Sequence, residues 1–114
     1  MTIAVIQFLA GFACGFTLWA ASVLITGEVE PWDAAVPYHA GGILIASFFL
    51  TLLRPRSCWA GILGLYLGQV CYMEWLYNPS TAHIFPAWIG AALFSAQPAG
   101  LGVIAGIVVR QAIR

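Results

Sequence analysis

The stretch Cys58–Tyr77, CWAGILGLYLGQVCYMEWLY, decides how the rest of the chain is read. Its only charged residue is Glu74. As a helix, about 20 residues at 1.5 Å each cross the roughly 30 Å hydrocarbon layer of a bilayer. Gly61, Gly64 and Gly68 let a second helix come close. Gln69 and Glu74 make the opposite demand: polar groups in hydrocarbon must find partners.

Composition extends this reading to the whole chain. Of its 114 residues 62% are hydrophobic and 7% charged, with a formal net charge of zero. A soluble domain carries about 25% charged residues, so the chain reads as an integral membrane protein. Four arginines and no lysine exclude a phosphate-backbone binder of nucleic acid. The first apolar run lacks a basic n-region and exceeds a secretory h-region, so it is read as a retained span. Cys14, Cys58 and Cys71 fall at different depths, which argues for small apolar fillers over a disulfide.

Four apolar runs can be drawn: Ile3–Thr26, Val36–Leu53, Cys58–Tyr77 and Phe85–Ile113. The breaks at Gly27–Ala35, Arg54–Arg56 and Asn78–His83 hold proline or charge, as helix ends should. Three spans would bury Arg54 and Arg56 in lipid, at about 2.5–3.5 kcal/mol each. The expectation is therefore a single all-α domain, a four-transmembrane-helix bundle with short loops. Arg54, Arg56, Arg110 and Arg114 then share one side, and Glu28, Glu30 and Asp33 the other. The positive-inside rule predicts both termini in the cytoplasm, as for a multi-pass protein of a bacterial inner membrane.

Small residues four apart recur in every run: Gly11 and Gly15, Gly42 and Ala46, Gly64 and Gly68, Gly102 and Gly106. Such pairs serve subunit interfaces or packing within one bundle. A layer of neutral polar groups, Thr17, Ser47, Gln69 and Gln97, is predicted near mid-depth. Gln69 and Gln97 could face each other beside Pro98, whose missing N–H loosens the helix, as a solute or ion site or as an interhelical clamp. Glu74, with Cys71 one turn before it, is expected to face an outer rim formed by His39, His83, Glu28, Glu30 and Asp33. Glu74 reads either as a cation or proton site or as a shallow acid reaching water.

No spacing matches a metal site, and no catalytic motif or cofactor signature is present in the sequence. The expectation is a non-enzyme, without cofactor or resident metal, that moves a small solute or ion as a homo-oligomer in the lipid bilayer. The alternative is a non-transporting accessory subunit that packs against a larger membrane complex.

Overall fold

The computed structural model of the chain describes residues 2–77 and 87–114. Among these the fold is all-α: α1 (Ile3–Ala20), α2 (Ser22–Thr26), α3 (Tyr38–Leu53), α4 (Cys58–Tyr72) and α5 (Ala87–Ala112). Single 3₁₀ turns at Pro31–Asp33 and Pro55–Ser57 precede α3 and α4, and a π turn, Met73–Tyr77, prolongs α4. Helix α5 runs through Pro98 without a break.

The first run is not one helix to Thr26. It breaks at Ala21, whose N–H is shared by the carbonyls of Thr17 and Trp19. Hydroxyl chemistry stabilises the short helix beyond it. Thr26 Oγ1 donates to the Ser22 carbonyl at 2.8 Å, and Ser22 Oγ donates to the Glu28 carbonyl at 2.5 Å. Gly27, with φ at 81°, then ends α2 in the left-handed region, where a Cβ is unfavourable.

The long helices associate in two close pairs, each between segments far apart in sequence. In the first, Gly11 and Gly15 of α1 lie on the backbone of Gly61 and Leu65, while Gly64 and Gly68 of α4 lie on the carbonyls of Phe8 and Phe12. A Cβ at any of the four would overlap backbone. Residue numbers rise together along this seam, so α1 and α4 run parallel. In the second pair Gly102 meets Leu44 and Ser47, and Gly106 meets Phe48 and Thr51, so α3 and α5 are parallel too.

The two pairs run in opposite directions. Gln7 Nε2 donates to the Leu50 carbonyl at 3.2 Å near one end, and the Tyr38 hydroxyl to the Leu18 carbonyl at 2.6 Å near the other. The glycine faces expected as possible subunit contacts are thus occupied within the chain. Gly42 packs on the Leu18 side chain in the same way.

The start of α1, the α3–α4 connection and the residues at and just beyond the end of α5 meet at one end of the molecule, where Ile3, Arg54, Arg56, Arg110 and Arg114 border a common hollow. Ile3–Ala20 and Trp88–Ala112 are long and apolar enough to cross a membrane. Only 22% and 28% of their apolar windows are buried, so these helices turn most of their hydrophobic surface outward. Helix α3, at 16 residues, spans about 24 Å and is short for the same task.

Candidate functional site

Gln69 is wholly buried and sits where all four long helices meet. Gly68, next to it, and Gly64, within a turn and a half, bring α1 close enough for Trp19 to reach it. The Trp19 indole N–H donates to Gln69 Oε1 at 3.2 Å, and His39 Nε2 lies 2.7 Å from the same oxygen. The amide nitrogen donates to Ser95 Oγ at 3.0 Å and to the Leu65 carbonyl at 3.3 Å. One amide therefore ties α1, α3, α4 and α5 together.

The donor pattern also sets the state of the imidazole. An indole N–H can only donate, so the Gln69 atom that receives it is oxygen. That oxygen has no hydrogen, so His39 Nε2 must carry the proton in its bond to it. The neutral ring is the Nε2–H tautomer, with Nδ1 as its acceptor nitrogen. A half-polar cavity of about 330 Å³ opens beside His39, bounded by Pro31, the 34–37 segment and Phe94.

Further along α3, the buried residues recur at three- to four-residue spacing: His39, Ile43, Ser47, then Leu50 and Thr51. This is the inward face of one helix. Ser47 Oγ is held by its own helix, 2.8 Å from the Ile43 carbonyl and 3.0 Å from that of Leu44. At the arginine end Gln7 and Thr51 are buried, and Gln7 Oε1 and Thr51 Oγ1 have no hydrogen-bond partner among the described residues.

The residues expected to form the site fall into three groups. Gln69 and Ser47 are buried on the axis. Gln97 is exposed and does not face Gln69. Two positions separate it from Ser95, about 200° around a helix, and Ser95 holds the inward face. Thr17 is likewise exposed, in the groove between α1 and α3.

His39 does not belong to an outer rim: it is 3% exposed and bonded inward. The first turn of α3 directs it beneath the segment that begins at Pro31. Glu74 is exposed on the π turn, Cys71 is half-buried, and Glu28, Glu30 and Asp33 remain on the connection before α3. Partial loss of water, followed by the negative charges of Glu30 and Glu28, raises the Asp33 pKa. His83 lies outside the described residues. Among the described residues no three His, Cys, Asp or Glu side chains converge as metal ligands.

Trp19, Ser95, Gln7 and Thr51 were absent from the expected site. Thr51 was legible as part of the 39, 47, 51 spacing on α3, and Gln7 as an amide within the first run. Trp19 and Ser95 carried no comparable signal.

No family model matches the chain, and no curated protein or solved structure is detectably similar to it. The functional reading therefore rests on its own geometry.

Proposed function

We propose that this chain is a four-span protein of a bacterial inner membrane that moves a small polar solute or ion along the inward face of α3. One observation carries the proposal: buried polar side chains extend from the His39 cavity to the arginine end. Trp19, His39, Gln69 and Ser95 form the first layer, Ser47 the second, and Gln7 with Thr51 the third. Burying a polar group costs free energy unless it is paired, and a clamp needs only one layer. Three layers, the last with two unpaired oxygens, suit a path along which a solute supplies the missing partners. Ile43, fully buried between His39 and Ser47, is the apolar plug on that path.

In this frame both termini and all four arginines face the cytoplasm, and the acids face outward. The molecule is 49 Å along its longest axis, comparable with the 40–45 Å of a whole bilayer. Exposed Trp59 near one end of α4, with Trp75 and Trp88 near the other end of the molecule, suits two interfacial belts. The short α3 is accommodated by the Pro31–Asp33 turn and by local thinning of the bilayer.

Reconstituted liposomes test this reading directly. Proton and small neutral-solute fluxes should exceed those of empty vesicles, fall at least ten-fold in Gln69→Leu, and rise in Ile43→Ser. Tight vesicles across such a panel would reject it. A second reading then takes its place: an accessory subunit, or a homo-oligomer, seated through the apolar groove of about 690 Å³ between α1 and α3. That groove, lined in part by Gly42 and Ala46, favours it because the glycine faces of α1, α4 and α5 are already used within the chain.

A further inference from the structure

The four arginines come from two places in the sequence and line one hollow. Arg54 and Arg56 flank Pro55 in the α3–α4 connection, while Arg110 lies in the last turn of α5 and Arg114 two residues beyond its end. Together with Ile3 and Leu53 they border a cavity of about 400 Å³. Among the described residues no acidic side chain lines it. The chain's four acids lie elsewhere, on the connection before α3 and at Glu74. A formal net charge of zero thus conceals four positive charges in one hollow, a field that attracts anions.

We infer that this hollow binds a phosphate-bearing anion, and that the phosphate is the headgroup of an anionic phospholipid. Guanidinium groups match phosphate oxygens in a planar, bidentate fashion, with five N–H donors each. Arg110 is oriented for that task, because its Nη1 donates to the Leu52 carbonyl at 2.9 Å. That bond closes the end of α3 against α5 and uses one of the five donors. Ile3 and Leu53 give the hollow an apolar side, as a headgroup continuing into acyl chains requires. Free phosphate would not need that side. The hollow also falls within the roughly 300–1,000 Å³ range of small-ligand sites. Basic pockets between membrane helices at the cytoplasmic face hold anionic headgroups by this chemistry. The lipid source rests on the membrane reading above, whereas the phosphate chemistry does not.

The test titrates short-chain phosphatidylglycerol, phosphatidylcholine and inorganic phosphate into the full chain in an uncharged detergent, with bound mass followed by native mass spectrometry. Phosphatidylglycerol should bind at least ten-fold more tightly than phosphatidylcholine, and more weakly as salt is raised. Arg54→Gln with Arg56→Gln should remove that preference, as should Arg114→Gln in part. These side chains are exposed, so the variants keep the fold even where Arg110→Gln, which loses the Leu52 bond, does not. Inorganic phosphate that fails to displace the lipid supports the lipid as occupant, and displacement at equal concentration supports the free ion. Equal binding of both lipids with no phosphate bound, or unchanged binding in the Arg54→Gln, Arg56→Gln variant, would overturn the assignment.

Discussion

Gln69 and Gln7 are both buried amides on neighbouring, parallel helices, yet their environments differ. Gln69 uses both ends of its amide, binding Trp19 and His39 through oxygen and Ser95 and Leu65 through nitrogen. Gln7 uses only one end, donating to Leu50 while its oxygen has no partner. A satisfied amide stiffens the bundle, because removing it strands several groups at once. A half-satisfied amide stabilises little and is better placed to exchange partners with a solute. One buried layer therefore defines the fold, and the other is the more adaptable end of the proposed path.

The largest effect that sharpens this contrast is expected at Gln69→Leu. It leaves the Trp19 N–H, the His39 N–H and the Ser95 hydroxyl without their shared partner. At about 1–3 kcal/mol for each stranded group, the loss should reach at least 3 kcal/mol in detergent-resistance or thermal unfolding. Trp19→Phe should cost about 1–2 kcal/mol, since one donor is lost while Gln69 Oε1 keeps His39.

Gln7→Met and Thr51→Val should fall within about 1.5 kcal/mol of the parent, because each removes an oxygen that already lacks a partner, and the one bond Gln7→Met gives up leaves the Leu50 carbonyl still accepting from the Arg54 N–H. A cost of 3 kcal/mol at Gln7→Met would erase the distinction between the two layers.

The smallest effect concerns pH at the opposite end from the arginines. The raised Asp33 pKa means that the folded chain holds this proton more tightly than the unfolded chain. Its contribution to stability is present below the ordinary aspartate range and is lost as pH rises toward the raised value. Asp33→Asn should flatten that slope in pH-dependent unfolding, most visibly at low salt. A slope that stays the same would assign the pH dependence to other groups.

Much of this organisation was legible in the chain. Counting residues gives depth along a helix, and by that measure Gln69 stands out as an amide that needs partners. Its partners were misassigned, because depth says nothing about azimuth. Gln97 lies near Ser95 in sequence but points outward, and His39 begins its helix yet turns inward. Small residues four apart were equally plain, but their spacing names no partner. Only packing paired Gly11 with Gly61 and Gly102 with Leu44 and Ser47.

By itself, then, the sequence determined an apolar, all-helical chain whose arginines and acids are segregated, because charge and hydropathy are properties of the residues in order. Tertiary structure alone decided which helices run side by side, and that decision placed four arginines around one hollow and four helices around one amide. The physical reason is geometric. Backbone contact at glycine selects the partner and the register, and these set the direction in which each polar side chain points.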